Sequence, residues 1–222
     1  MPAIASQKTK NTLEGRFNPA IALNLGRFTG PYRYRRDTEI YGEKEPAEFV
    51  YHITSGAVRS YKLLSDGRRQ IGAFHLAGDV FGLENGPIYR FTTEAVVDTT
   101  VRVMKRSSLD VVAKRDLPLV QNLLKMTTSD LRHAEDHVLL LGRKNAVERV
   151  ASFLLDMDRR LMKAGFLSLP MSRRDIADYL GVTLETVSRV LSQLQTEGIL
   201  TFLGGHRQIL LLDRKRLAQL NT

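Results

Sequence analysis

Residues 171–198 read MSRRDIADYLGVTLETVSRVLSQLQTEG, and they carry the strongest structural pattern in the C-terminal part of the chain. Ser172 is placed to cap a first helix, and Asp175, three residues later, completes a capping box. Gly181 ends that helix in a left-handed turn, and Thr183 caps a second helix. Two helices joined by so short a turn around a glycine predict a helix-turn-helix.

The second helix of this motif has an apolar face and a polar face. The polar face carries Glu185, Ser188 and Arg189, which lie together at helical spacing. A glutamate can accept a hydrogen bond from cytosine N4, and an arginine can donate two to guanine O6 and N7 in the major groove. Leu184 is placed to contact a thymine methyl group. We interpret this face as one that reads DNA bases. The opposite face is apolar and consists of Val187, Val190, Leu191 and Leu194.

The same polar face has a simpler interpretation. Glu185 and Arg189 are four residues apart, and such an ion pair stabilises a helix by only ~0.3–0.5 kcal/mol. For an arbitrary helix, that pair is the better explanation. Inside this turn and this capping pattern, we favour contact with bases.

The residues after the motif predict a β-hairpin. Ile199–Leu203 and Gln208–Leu212 are apolar runs joined by two glycines, His206 and Arg207. A hairpin in this position makes a winged helix-turn-helix, with a histidine and a cation at the tip of the wing. The alternative is a hairpin that only covers the helices. The predicted DNA-binding residues are Ser172, Arg173, Thr183, Leu184, Glu185, Ser188, Arg189, His206 and Arg207.

A long helix with a seven-residue repeat precedes this domain. Its apolar positions follow one another at steps of three and four, which is typical of a coiled-coil seam. Such a stripe often packs on its own domain. A helix of roughly 26 residues spans about 39 Å, however, more than a small β domain covers, so we favour a parallel homodimer. The predicted dimerisation residues are Leu117, Val120, Leu124, Leu131, Ala134, Val138 and Leu141.

The stretch from Tyr32 to Lys105 has the texture of β-strands. Its runs carry β-branched and aromatic residues, and Gly56, Gly67 and Gly78 recur at eleven-residue intervals. Glycine tolerates the positive φ that tight turns between strands need. This spacing predicts a β-roll or jelly roll with successive antiparallel strands. We also expect one strand over Thr93–Met104 and, ahead of the roll, a short helix near Asn18–Leu25.

Composition limits the classes of protein that fit. The 222 residues are 43% hydrophobic and carry a net charge of +9 with a pI near 9.9, which is typical of a globular chain with anionic partners. Zero cysteines exclude disulfides and cysteine-ligated metal clusters. No apolar run is long enough to be a signal peptide or to cross a membrane. We expect a cytoplasmic protein with no membrane partner.

A β-roll, a long helix, a plausible hinge at Gly142-Arg143-Lys144 and a winged helix-turn-helix, in this order, resemble the CRP/FNR superfamily of bacterial transcription regulators. The resemblance implies an α+β fold with four parts: a tail with a short helix (1–31), a cyclic-nucleotide-binding-like β-roll (32–116), a dimerisation helix (117–142) and a DNA-binding domain (143–222). The recognition-helix sequence, Val182 to Leu191, resembles the FNR type. That type implies half-sites of the kind TTGAT, read by Glu185, Ser188 and Arg189, and double-stranded DNA, a second copy of the chain and RNA polymerase as partners.

Departures from the superfamily bear on the signal that such a regulator would sense. The absence of cysteine excludes the cluster of FNR itself. Phe81-Gly82-Leu83-Glu84 resembles the cyclic-AMP branch, but the arginine–serine pair expected to hold the phosphate is missing around Arg90. His52 and His75 would serve as haem ligands only by coincidence. His133 and His137 have zinc-like spacing, but no third ligand lies nearby, so we expect these two histidines on a solvated face.

Without a cluster and without the cyclic-nucleotide pair, the chain resembles the FixK-type branch of the superfamily. The resemblance implies a cofactor-free activator of genes for micro-oxic or anaerobic respiration or nitrogen fixation, and no enzymatic activity. Two alternatives stay open: a regulator of the same fold gated by a cyclic nucleotide or haem, and, more remotely, a cupin-type metalloenzyme. The second lacks the His-x-His spacing that such a metal site normally needs.

Ser172 has a further conditional interpretation. A chain without cysteine is either natural or one in which a cysteine was replaced. A cysteine at position 172 would have a low thiol pKa, because the helix dipole and the charges of Arg173 and Arg174 stabilise the thiolate. Its oxidation would add negative charge next to the DNA backbone and weaken binding. We therefore regard Ser172 as a candidate redox-control position.

Overall fold

The computed structural model describes residues 28–113, 117–161 and 165–221. Its N-terminal part is a sandwich of two four-stranded sheets, with strand orders β1-β8-β3-β6 and β2-β7-β4-β5. Apolar side chains from both sheets share one core, which makes this the jelly-roll-like domain expected from the sequence. The strands are β1 (Thr29–Tyr34), β2 (Glu39–Tyr41), β3 (Phe49–Ser55), β4 (Ala57–Leu63), β5 (Arg69–Leu76), β6 (Val80–Phe81), β7 (Thr92–Ala95) and β8 (Thr99–Lys105).

The glycine turns have positive φ, but they do not all join paired strands. Gly67 turns β4 into β5 as a hairpin, whereas Gly56 and Gly78 each carry the chain from one sheet to the other. At Gly56 a side chain has no room, because a Cβ would lie 2.7 Å from the backbone oxygen of Asp98. The expectation of successive antiparallel strands is therefore correct only for β4 and β5. A sandwich needs the other connections to change sheets.

Two further expectations for the roll differ from the structure. The single strand expected over Thr93–Met104 is two strands, β7 and β8, which lie in different sheets because the chain bends between Ala95 and Thr99. The first strand begins at Thr29, before residue 32. The helix expected near residues 18–25 lies outside the described residues.

Helices dominate the rest of the chain. Three of them lead from the roll into the C-terminal domain: α1 (Arg106–Ala113), α2 (Leu117–Arg143) and α3 (Ala146–Leu161). The C-terminal domain continues with β9 (Phe166–Ser168), α4 (Arg173–Leu180), α5 (Leu184–Thr196), β10 (Leu200–Phe202), β11 (Gln208–Leu211) and α6 (Arg214–Gln219). No helix among residues 28–113, 117–161 and 165–221 has the length and hydropathy that a bilayer span requires.

The 27-residue helix α2 has two different faces. The residues of the expected seam are exposed: Leu117, Val120, Leu124, Leu131, Ala134 and Val138. Leu141 differs from them, because it is half-buried and packs against the core of the C-terminal domain. The opposite face is turned inward at His137 and Leu140, which are buried. An apolar stripe thus stays uncovered along most of the helix.

The C-terminal domain has a single core made by its helices and a small sheet. The sheet has the order β10-β11-β9, so the hairpin expected from the sequence gains a third strand, β9, that no sequence pattern predicted. The buried residues of α3 are Val150, Ala151, Phe153, Leu154 and Met157. The same core extends to Ile71 and Phe74 of the roll.

Candidate nucleic-acid interface

The two helices of the motif begin and end as their sequence predicts. The Ser172 hydroxyl accepts a hydrogen bond from the Asp175 backbone N–H at 3.1 Å, and the Asp175 carboxylate accepts one from the Ser172 N–H at 2.9 Å. Gly181 ends α4 with φ 62°, and the Thr183 hydroxyl accepts from the Thr186 N–H at 3.2 Å. These caps fix the turn between α4 and α5, and the helix-turn-helix is confirmed.

The recognition helix α5 is anchored through its apolar face. Its four apolar positions, Val187, Val190, Leu191 and Leu194, are all buried. This leaves Glu185 and Arg189 exposed on the other side, with Leu184 and Ser188 half-buried beside them. A helix with one face packed in the core holds its outer side chains at defined positions, which recognition of a base edge requires.

Glu185 and Arg189 do not neutralise each other. Within the described residues no ion pair joins them, so the simpler interpretation of the polar face is not realised here. Hydrogen bonds from its own backbone N–H and from the Thr183 hydroxyl lower the pKa of the Glu185 carboxyl. The glutamate is thus an ionised acceptor that faces solvent, and the arginine is an exposed donor one turn later.

Arg173 connects the first helix, the recognition helix and the wing. Its guanidinium donates to the Ser188 hydroxyl at 3.3 Å, lies 3.4 Å from Nδ1 of His206 and stands 5.3 Å from the centre of the Phe202 ring. Burial lowers the pKa of Arg173. Three predicted DNA-binding residues, Arg173, Ser188 and His206, therefore meet at one point. Phe202 also lies there, although the apolar pattern of β10 does not distinguish it from a core residue.

The wing carries only part of the expected charge at its tip. His206 is exposed there, whereas the Arg207 side chain turns back and donates to the carbonyl of Pro170 at 3.2 Å. The Leu169 N–H also donates to the Arg207 carbonyl at 2.9 Å. In this structure Arg207 fastens the wing to the segment ahead of α4.

The histidines of α2 do not lie on a solvated face, contrary to expectation. His137 is buried, stacks on the Tyr179 ring and donates from Nε2 to the Tyr179 carbonyl at 2.9 Å. His133 lies 3.2 Å from the Tyr179 hydroxyl. Both hold α4 against the long helix, a contact for which the sequence has no local signal. No group of three or more candidate metal ligands occurs in the described parts of the chain.

The interior of the β-roll is filled with aromatic rings. Tyr41 stacks on Tyr89 with ring centres 3.6 Å apart, and Tyr51 stacks on Phe81 at 5.0 Å. Burial raises the pKa of Tyr41 and Tyr51, so both phenols stay neutral. None of these rings supplies the positive charge with which a site for a cyclic phosphate would neutralise it.

The residues around the Phe81-Gly82 sequence also fit a cyclic nucleotide poorly. Arg90, the one cation noted there in the sequence, is 72% exposed and donates from Nε to the Glu84 carboxylate at 3.1 Å. A phosphate site needs converging donors that are not already neutralised. His75, considered as a haem ligand, contacts the Ser60 hydroxyl at 2.9 Å and stacks on Phe81.

Comparison with known proteins agrees with this architecture. Residues 31–116 match the family model of the cyclic nucleotide-binding domain, and residues 148–220 match that of the Crp-like helix-turn-helix domain. The nitrogen fixation regulation protein FixK of Azorhizobium caulinodans is 46% identical over 197 residues, which cover 86% of this chain and 79% of that protein. The fumarate and nitrate reduction regulatory protein of Escherichia coli is 35% identical over 178 residues, covering 77% of this chain and 70% of that protein.

A solved structure extends the likeness to three dimensions. FixK2 from Bradyrhizobium japonicum superimposes with a TM-score of 0.84 at 65% sequence identity, covering 88% of this chain and 98% of that chain. These relatives are transcription regulators with a DNA-binding helix-turn-helix rather than enzymes, which excludes the cupin-type alternative. The chain belongs to the CRP/FNR family of transcription regulators, and within it to the FixK and FNR kind.

Proposed function

We propose that this protein binds, as a homodimer, a palindromic DNA site with TTGAT-type half-sites and activates transcription together with RNA polymerase in the cytoplasm, without a bound cofactor. The observation that carries the proposal is the outer face of α5. Glu185 and Arg189 are exposed, mutually unpaired and one turn apart on a helix whose other face is buried. An acceptor and a forked donor in this arrangement match the major-groove edges of a G·C pair and its neighbour.

The residues around α5 supply contacts that position the helix on the duplex. The N-terminus of α4 carries Ser172, Arg173 and the exposed Arg174, and the N-terminus of α5 carries Thr183. Helix N-termini and arginines bind phosphate oxygens, because unpaired N–H groups and positive charge converge there. The exposed His206 at the wing tip adds one more contact of this kind.

Dimerisation is supported by the exposed stripe on α2. Six of the seven expected seam residues face solvent in the single chain, and they repeat at the spacing of a two-stranded coiled coil. A second copy of the same helix would cover them. A two-fold dimer presents two recognition helices to major grooves about 34 Å apart, which is the spacing of a palindromic site.

The absence of a cofactor is supported by the roll itself. Stacked tyrosines and Phe81 fill its interior, and the cation at Arg90 is committed to Glu84. The relatives named above act in nitrogen fixation and in fumarate and nitrate reduction according to their names. We extend this to control of micro-oxic or anaerobic respiration or nitrogen-fixation genes by this chain.

The decisive experiment is selection of sites from a random duplex library by the purified, ligand-free protein. We expect an enriched palindrome with TTGAT-type half-sites. A second arm adds cyclic AMP, cyclic GMP or haem. Enrichment that appears only when one of these is present would establish the effector-gated alternative, and no enriched motif in any arm would refute the proposed function.

A further inference from the structure

We propose that Arg59 and Arg69 of the β-roll are positioning residues for DNA reading: they hold the first helix of the helix-turn-helix through Asp175 and Asp178 and so set the orientation of the DNA-binding domain without an effector. The inference rests on the proposed function. The inference deepens the proposed function, because it assigns to an ion cluster the orientation of the DNA-binding domain that a bound small molecule would otherwise set.

The cluster joins β4 and β5 to α4. Arg69 is a forked donor: Nη2 lies 2.7 Å from the Asp175 carboxylate, and Nε donates to Asp178 at 2.9 Å. Arg59 reaches the same oxygen of Asp175 with Nη1 at 3.0 Å. The partners are more than 100 residues apart in sequence, with separations of 106, 109 and 116. The contacts are therefore made between the two domains.

Burial makes this cluster more rigid than an ordinary surface ion pair. Arg59 and Asp175 are both buried, and Arg59 also contacts Asp37 at 3.1 Å and Glu94 at 2.5 Å. Burial acts to raise the pKa of Asp175, but hydrogen bonds from Ser172 and the charges of Arg59 and Arg69 outweigh it and leave the pKa below its ordinary value. Removal of one partner from such a group strands charge away from water, which is costly.

Asp175 connects the roll directly to the DNA-binding surface. The same carboxylate that receives the two arginines accepts from the N–H and hydroxyl of Ser172, at the N-terminus of α4. Arg173, which follows Ser172 in the chain, donates to the Ser188 hydroxyl in the recognition helix. The path from the roll to α5 therefore runs through one helical turn.

Two other contacts restrain the opposite end of α4. Gln70 of β5 donates to the Tyr179 carbonyl at 3.3 Å, and Arg149 of α3 donates to the Leu180 carbonyl at 2.8 Å. The helix is thus held at both ends. These contacts restrict rotation of the DNA-binding domain about the junction of α2 and α3. Less entropy is then lost when the two DNA-binding domains of a dimer bind two half-sites at once.

The test uses the full-length protein and two DNA duplexes, the selected palindrome and a single half-site. Loss of orientation should weaken binding to the palindrome, which requires both heads in register, and leave the half-site largely unaffected. We expect Arg69→Asp and Asp178→Arg each to weaken palindrome binding at least tenfold and to change half-site binding by about twofold or less. The neutral variant Arg69→Gln should show a smaller loss in the same direction.

Asp178→Arg is the most informative variant because simple electrostatics predicts the opposite result. It replaces a negative charge by a positive one in the DNA-binding domain, which should tighten binding to every duplex if only net charge mattered. The double variant Arg69→Asp/Asp178→Arg restores opposite charges across the interface. We expect it to regain at least half of the lost affinity on a logarithmic scale.

Arg68→Asp is the matched control, because Arg68 is 77% exposed and pairs only with the neighbouring Asp66 among the described residues. It should bind both duplexes like the parent. The inference is overturned if the single variants keep full palindrome affinity, if both duplexes weaken equally in variants whose thermal unfolding is unchanged, or if the double variant recovers nothing. Failure of the parent protein to bind either duplex would instead refute the proposed function.

Discussion

At the scale of single residues, a substitution of Arg189 tests whether DNA binding is sequence-specific or only a general electrostatic attraction. It is exposed and makes no ion pair among the described residues, and under the proposed function it donates to guanine O6 and N7. We expect Arg189→Ala to cost about 1–3 kcal/mol on the selected site and to relax the preference at the guanine position. Fluorescence anisotropy on the selected and a scrambled duplex measures both effects.

Arg174 serves as the control for this prediction. It is exposed in the first turn of α4, outside the recognition helix. Arg174→Ala should weaken binding to both duplexes alike and reduce the slope of log affinity against log salt by about one. Equal losses on selected and scrambled DNA for Arg189→Ala would contradict its role as a base reader.

Ser172 is the second residue whose contacts make a prediction. Its hydroxyl donates to Asp175 at 2.7 Å and accepts from the Asp175 N–H, so a negative side chain at position 172 would face a carboxylate. We expect Ser172→Asp to weaken operator binding, through this repulsion and through repulsion of phosphate. Ser172→Cys should bind like the parent until peroxide oxidises the thiol.

The comparison of these variants decides the redox hypothesis. Binding by the parent, Ser172→Cys and Ser172→Asp is measured before and after peroxide, and the parent controls for oxidation elsewhere. If the cysteine variant is indifferent to peroxide, or the aspartate variant binds as well as serine, position 172 has no redox role.

At the scale of elements, α2 offers a matched pair of leucines. Leu131 is 58% exposed and lies on the seven-residue stripe, whereas Leu139 is 61% exposed and lies off it. A lysine in the stripe places like charges against each other in the dimer. We expect Leu131→Lys to be monomeric by light scattering and to lose palindrome binding, and Leu139→Lys to remain dimeric. A dimeric Leu131→Lys would refute the seam.

At the scale of the whole molecule, the contact between α2 and α4 should respond to pH. Burial lowers the pKa of His137, although its hydrogen bond to the Tyr179 carbonyl acts in the other direction. As pH falls below the ordinary histidine pKa of 6.5, His137 is therefore protonated in the unfolded chain before it is protonated in the folded protein. We expect the free energy of unfolding to be greatest above this pH and to decrease as pH falls below it.

Denaturant unfolding at pH 7 and pH 5 checks this prediction. The groups that line the cavity beside His137 include His133, Asp136 and Lys144, and the folded state also lowers the pKa of His52. For this reason His137→Gln should reduce the pH dependence without abolishing it. The variant His52→Gln should remove a separate part. If the free energy of unfolding of His137→Gln has the same pH dependence as that of the parent, His137 does not contribute to it.

Short patterns in the sequence were enough for the elements of the DNA-binding domain. The capping box of Ser172 and Asp175, the left-handed turn at Gly181 and the buried stripe of α5 all appear in the structure as expected. Each depends on residues within one or two helical turns of one another. Local sequence determines such features because the hydrogen bonds and apolar contacts involved are themselves local.

The contacts between distant parts of the chain depend on the tertiary structure alone. The split of residues 93–104 into two sheets, the third strand β9 beside the wing, the inward position of His137 and the cluster of Arg59 and Arg69 on Asp175 have no short-range signal. An arginine on a strand has the same local pattern whether it faces water or a carboxylate 116 residues away. Its partner is set by how the roll and α4 pack together, since ion pairing between domains depends on position in space and not on spacing along the chain.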